Sequence, residues 1–279
     1  GWYRTDRDNA VEMADKAADP IGSLGYDGPL AAVSSDGPRN LAEYFKEAVA
    51  VVTNPAIDRE RETEHFSTES VVGPRPLLNA NDPDDYPAPI SLQLPVLAGG
   101  QIAGEPLLDF PLYRKTAQRA GTWMYEDVLA AFGSRAAILD MSILPGESLH
   151  KALERLVEEA LAAVKDGARL LSLDDGLTFS EGRHWLDAHL ALATVDRALR
   201  LKFDSQGRSY RRKCGLIVRA AGIRNLHDLI LAVGLGADAV NPYLLIETSV
   251  MRSGTPEDRA DRVVRLLTAL EKGLQKITS

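Results

Sequence analysis

Cysteine is nearly absent from this chain of 279 residues: Cys214 is the single one. An internal disulfide framework is therefore excluded, and a reducing, cytoplasmic setting is expected. No apolar run reaches the roughly 18 residues that a membrane-spanning helix needs, so no membrane partner is expected. The first residues, from Gly1 to Asp8, form no secretory signal, and no initiator methionine precedes them. The chain reads as though cut from something longer, or processed. Basic residues are too few to offset the acidic ones (32 against 40, net charge -8), which argues against nucleic acid as a partner. Histidines number five, and none is spaced as zinc ligands on one helix require. His184 and His189 stand five apart, where four is preferred; His65, His150 and His227 are isolated.

Hydrophobic residues make up 45% of the chain and charged residues 26%, a globular composition with enough length for one large domain or two ordinary ones. Three stretches differ in texture. Residues 1–75 form an irregular, polar N-terminal segment. Asn9 to Ala18 predicts a short helix, broken by Pro20, Gly22 and Gly25. Leu30 to Ser34 predicts a buried strand. Asn40 is a candidate N-cap with Glu43 three residues on. Leu41, Tyr44, Phe45, Ala48, Val49 and Val52 then follow at helical spacing up to Asn54-Pro55. Residues 76–134 form a Pro-rich irregular connection; Ile90 to Leu97 within it is rich in buriable side chains. Residues 135–279 are regular. Strands are predicted at 136–140, 170–173, 215–219 and 237–240, and helices at 149–166, 185–201, 226–233 and 256–277. Strands apolar on both faces that alternate with helices imply a parallel sheet covered by helices. The fold class expected is α/β, a barrel-like (partial or distorted TIM-type) parallel sheet plus the irregular N-terminal segment.

Several motifs invite chemistry, each beside a plainer reading. Asp174 and Asp175 follow a strand, where barrel enzymes place catalytic carboxylates; Asp175-Gly176 is also an ordinary turn. Four basic residues (Arg208, Arg211, Arg212, Lys213) could grip an anion, or form a solvated loop. Gly234 to Asp238 resembles a glycine-rich anion-binding turn, yet the strand after it leads into Asn241-Pro242-Tyr243, where proline removes one donor.

Four segments taken together resemble the central domain of glutamate synthase. They are Asp19 to Ser34 (DPIGSLGYDGPLAAVS), Leu41 to Glu62 (LAEYFKEAVAVVTNPAIDRERE), Gly236 to Leu244 (GADAVNPYL) and Ala269 to Ile277 (ALEKGLQKI). The resemblance departs at 174–175, where the family usually has a Ser-Asp-Arg-like run, so no role is carried to those aspartates. It implies a connecting domain whose partners are the glutaminase and FMN synthase domains of the same enzyme. The final helix still reads as helical where the sequence ends, which suits a join to the flavin domain. FMN and an iron–sulfur cluster are expected in that neighbouring domain and none in this chain: a cluster needs several cysteine thiolates, and the glutaminase needs a cysteine at its N-terminus. No catalytic or metal residue is expected here. Thr53, Asn54, Pro55 and Ile57 are candidates for lining an ammonia passage, Thr53 and Asn54 offering donors and acceptors without charge; the plainer reading is that Asn54-Pro55 only ends a helix. Arg59, Arg61, Asn241 and Tyr243 are candidates for a domain interface. The alternative is a free-standing barrel-like enzyme, using Asp174, Asp175 and the basic loop, or a regulatory interaction protein.

Overall fold

A computed structural model describes residues 2–19, 40–46, 66–75, 87–101 and 107–278. The regular part is a parallel sheet of four strands in the order β3-β4-β5-β6: β3 Ala136–Asp140, β4 Leu170–Asp174, β5 Gly215–Arg219 and β6 Ala239–Asn241. The sheet curls beyond β6. Leu97 donates to the Val240 carbonyl at 2.8 Å, Val240 to the Pro95 carbonyl at 2.9 Å, and Ala98 to the Trp123 carbonyl at 3.0 Å. Residues 95–98 thus act as a further parallel layer, and the architecture is a partial α/β barrel. A short antiparallel pair, β1 Ser70–Val72 with β2 Ile90–Leu92, packs at the N-terminal end of the sheet.

Strand alternation divides the core in two. Leu171, Leu173, Leu216, Val218 and Val240 point outward into one large cluster with the helices. Leu170, Ile217 and Ala239 point inward, onto Tyr125, Val128 and Phe132 of a helix that plugs the barrel and onto Val72 and Leu92. The helices are α1 Arg4–Lys16, α2 Phe110–Arg119, α3 Tyr125–Phe132, α4 Leu149–Lys165, α5 Ala188–Leu201, α6 Leu226–Gly234, α7 Tyr243–Ser249 and α8 Pro256–Thr278. Their starts follow capping chemistry. Ser148 accepts from Lys151 N–H, Asp187 from His189 and Leu190, and Asn225 from Asp228. In α4, Ala152, Leu156, Ala160 and Val164 are buried at i, i+4 spacing, the stripe expected of a helix lying on a sheet.

The strands expected at 136–140 and 215–219 match the observed ones residue for residue. Four expectations need correction. The helix expected from Asn9 begins at Arg4, where Asp6 accepts from Tyr3 N–H at 2.8 Å. The helix expected over 41–52 starts instead as a 3-10 turn at Leu41–Tyr44, and Phe45 is already extended (φ -107°, ψ 149°); its remainder, 47–52, lies outside the described residues. Asn40 does not cap it. Its amide donates to the Gly222 carbonyl, and Leu41 N–H donates to Asp187. Helix α2 lies inside the supposed irregular connection: Asp109 caps it and Pro111 sits at its second position, where no N–H is needed. Helix α7 was not foreseen at all. The strand expected at 30–34 lies outside the described residues.

One position makes the fit of the barrel to its lower end testable. A Cβ on Gly215 would stand 2.5 Å from the backbone nitrogen of Gly73. Backbone cannot swing away as a side-chain tip can. Gly215→Ala is expected to cost about 1–3 kcal/mol in urea unfolding; an unchanged midpoint would mean that the two segments are not apposed.

Candidate functional site

The parallel register brings four polar residues side by side at the C-terminal ends of the strands. Asp140 aligns with Asp174, Asp174 with Arg219, and Arg219 with Asn241. This end is where barrel folds carry their chemistry. Arg219 dominates it. Its Nη1 donates to Asp174 Oδ1 at 2.6 Å and its Nε to the Gly100 carbonyl at 2.7 Å. Its guanidinium lies 4.6 Å from the Tyr243 ring centre and 5.7 Å from that of Tyr125, both within cation–π range. Tyr125 shares a 3.0 Å hydrogen bond with Ser172. A cavity of about 320 Å³ opens beside this row, lined by Gln101, Ile138, Leu177 and the charges of Asp140, Asp174 and Arg219.

The two adjacent aspartates do not act as a pair. Asp174 faces Arg219 and also accepts from Gly176 N–H at 2.6 Å. Asp175 turns away into the protein, 1% exposed. It accepts from the Tyr243 hydroxyl at 2.8 Å and from Ala221 N–H at 2.7 Å. Burial pushes its pKa up to about 6, against the pull of those two hydrogen bonds. Burial likewise raises the Tyr243 hydroxyl, and the nearby Asp175 adds to the effect. Asp140 is paired with Arg183 and accepts from Ser142 N–H. The mouth's charges are thus matched internally.

The basic run is solvated only in part: Arg212 is exposed, and the other three cations are engaged with carboxylates. Arg211 is 3% exposed and holds Asp196 and Asp238, each at 2.8 Å. Lys213 and Arg208 pair with Asp204 at 2.7 and 3.3 Å. This cluster sits at the N-terminal end of β5, while Asp174 meets the other end. Four strand steps of about 3.3 Å separate them by ~13 Å, so aspartates and basic loop cannot form one active site, and that alternative falls. A larger recess of about 510 Å³ opens at the N-terminal end, but the arginines that line it (Arg75, Arg200, Arg211) are all bonded to carboxylates.

A third network was not foreseen. Arg224 holds Asp228 at 2.8 Å and Glu43 at 3.1 Å, tying the 41–44 turn to α6. His189, 1% exposed, bonds the Asp228 carbonyl through Nε2 at 2.8 Å, and His227 bonds the Ala42 carbonyl. Both are structural. Among the described residues no cluster of metal-ligating side chains forms, and no helix is long and apolar enough to cross a membrane.

The glycine-rich turn does not fit a flavin phosphate. Its N–H groups are already engaged: Leu235 to Leu231, Gly236 to Val233, Ala237 to Ala232 and Asp238 to Leu216, all at 2.8–3.1 Å. Beyond β6, Pro242 offers no N–H. Thr53, Asn54, Pro55, Ile57, Arg59 and Arg61 lie outside the described residues. Asn241 and Tyr243, expected at a domain interface, are 0% and 1% exposed. Asn241 donates to the Leu97 and Gly99 carbonyls, and Tyr243 carries Arg219 and Asp175. Both serve the interior, and neither presents a surface to another domain. Of the row at the strand ends, Asp174 is legible in the sequence as a carboxylate following a strand; Arg219, a charge closing an apolar strand, is not singled out there.

Fold and site together define an α/β partial-barrel domain whose strand-end charges are matched to one another. The whole chain, residues 1–279, matches the glutamate synthase central domain family and belongs to it. A ferredoxin-dependent chloroplastic glutamate synthase of Oryza sativa subsp. japonica is 30% identical over 100% of this chain and 16% of its own length. The NADPH glutamate synthase large chain of Bacillus subtilis (strain 168) is 29% identical over 85% of this chain and 14% of its own. The chain therefore spans about one-seventh of the length of these curated relatives. A solved mandelate oxidase with 2-hydroxy-phenylacetamide aligns over 79% of this chain and 89% of its own, with 15% identity and a TM-score of 0.39.

Proposed function

We propose that this chain is the non-catalytic connector of a glutamate synthase, holding the glutaminase and FMN synthase domains and helping to wall the ammonia passage between them. The observation that carries this reading is Cys214. Glutaminase chemistry and cluster ligation both need a thiolate. The single thiol of this chain is 0% exposed, and burial pushes its pKa up to about 12. A buried thiol of raised pKa forms thiolate poorly and suits a structural role. On this reading the iron–sulfur cluster, and FMN with it, sit in the neighbouring domain. The free buried thiol also suits a reducing, cytoplasmic setting.

The passage assigned to Thr53, Asn54, Pro55 and Ile57 has a direct test. In the assembled enzyme, Asn54→Leu is expected to uncouple the two ends. Glutamine hydrolysis should outrun glutamate formation, while synthesis from added ammonium stays at its wild-type rate. Unchanged coupling across Thr53→Val, Asn54→Leu and their double variant would remove these residues from the passage. Glutamate formation by the purified 279-residue chain alone would refute the connector reading itself.

A further inference from the structure

Ile138 stands where a barrel residue should be hidden. It aligns with Ser172 of β4, which aligns with Ile217 of β5, and both of those inward-facing side chains are 0% exposed. Ile138 is 57% exposed. The reason is topological: β3 is the edge of the sheet, and no described strand pairs with its free side. An unpaired edge with an apolar inner face is a liability that proteins normally cover. Two more large apolar side chains are exposed on the 3-10 turn Gly176–Phe179 that follows β4: Leu177, which lines the opening, and Phe179, two residues on, at 51% and 65%. Leu177 and Ile138 line the same 320 Å³ cavity.

We propose that this open mouth, lined by Ile138 and Leu177, together with Phe179 on the adjoining turn, is a docking surface for an apolar segment of the glutamate synthase polypeptide outside this chain. The proposal rests on the connector reading. Charge selects the partner's chemistry. Asp174 is matched by Arg219 and Asp140 by Arg183, so the rim offers no net charge to recruit an ionic ligand. What remains unsatisfied is apolar area, which marks contact surfaces. Length selects the source. Family members carry about six-sevenths of their chain outside the region matched here, more than enough to supply the cover. The assignment also replaces Asn241 and Tyr243, which are buried, with side chains that another domain can reach.

Cysteine labelling tests it in the assembled enzyme. Cys214, the chain's own thiol, is buried and gives no background from this chain. Ile138→Cys and Phe179→Cys are compared with Met251→Cys, a control position 67% exposed on a different loop. Maleimide should label positions 138 and 179 at least about tenfold more slowly than 251, and denaturation should make all three equal. Labelling at 179 as fast as at 251, in an enzyme that contains the glutaminase and flavin domains, overturns the docking surface and leaves the connector reading intact. A chain that purifies from its own cells with neither domain overturns both. Protection that instead depends on the concentration of the chain free of other polypeptides assigns the surface to a second copy, and overturns the proposal as stated.

Discussion

Arg211→Ala is expected to destabilise the fold by about 3–5 kcal/mol, the range for removing one partner of a buried ion pair. The arginine uses four donor contacts at once, each at 2.8 Å: Nε to Asp196, Nη1 to the Cys214 carbonyl, and Nη2 to the Gly236 carbonyl and Asp238. Alanine would leave two carboxylates facing each other in a site that water barely reaches. Arg75 and Arg200 would still hold one oxygen each, but their side chains are about half exposed and screened by solvent. They moderate the loss without cancelling it. Arg211→Lys should fall between wild type and alanine, because an ammonium cannot reproduce the planar fork. Asp238→Asn in the Arg211→Ala background should recover part of the loss by removing one stranded charge. Urea unfolding of the four proteins measures this. A loss under about 1 kcal/mol for Arg211→Ala would mean that the cluster is hydrated in solution.

The buried basic cluster also shows what the sequence could and could not disclose. Arg208 to Lys213 looks like a solvated run because four cations stand close together in the chain. Three of them, Arg208, Arg211 and Lys213, are paired with Asp196, Asp204 and Asp238, and only the fold brings Asp238 to Arg211. The same holds for Arg224 with Glu43, 181 residues away, and for the row Asp140, Asp174, Arg219, Asn241, which exists only through strand register. Local patterns were readable. Short runs apolar on both faces located β3, β4 and β5, and period-3.6 hydrophobicity located four of the helices, within a few residues. Proline misled at α2, since Pro111 reads as a breaker from its neighbours and as a helix starter once Asp109 is seen to cap. The start of the 41–52 pattern misled because Asn40 and Leu41 bond to other segments of the chain instead of capping a helix.

Asp175→Asn is expected to change how stability depends on pH. The carboxyl's pKa rises from 3.8 to about 6 on folding. Desolvation is the main cause; the Tyr243 and Ala221 hydrogen bonds oppose it, and the charge of Asp174 reinforces it. The sign follows from proton counting. Between the two values the folded protein holds a proton that the unfolded chain has released, so stability falls as pH rises through that window. Below about 3.8 the penalty is absent; above about 6 it is complete. At 1.36 kcal/mol per pKa unit it amounts to about 3 kcal/mol. Other carboxylates have the opposite sign. Glu147 and Asp127 are held below their ordinary range, mainly by Arg155 and Arg114, and lose stabilisation in acid. They are common to both proteins and cancel in the difference. Asparagine adds a constant cost, since its single carbonyl oxygen cannot accept from both the Tyr243 hydroxyl and the Ala221 N–H as two carboxylate oxygens do. Urea unfolding from pH 4 to pH 7 should therefore show wild type losing ground to Asp175→Asn by about 2.4 kcal/mol over the range, since part of the penalty is already present at pH 4. A difference that stays flat would place a water or a neutralising cation beside Asp175. A tilt of the expected sign would establish a carboxyl that keeps its proton to near neutrality behind the mouth, hydrogen-bonded to Tyr243, on whose ring Arg219 is stacked.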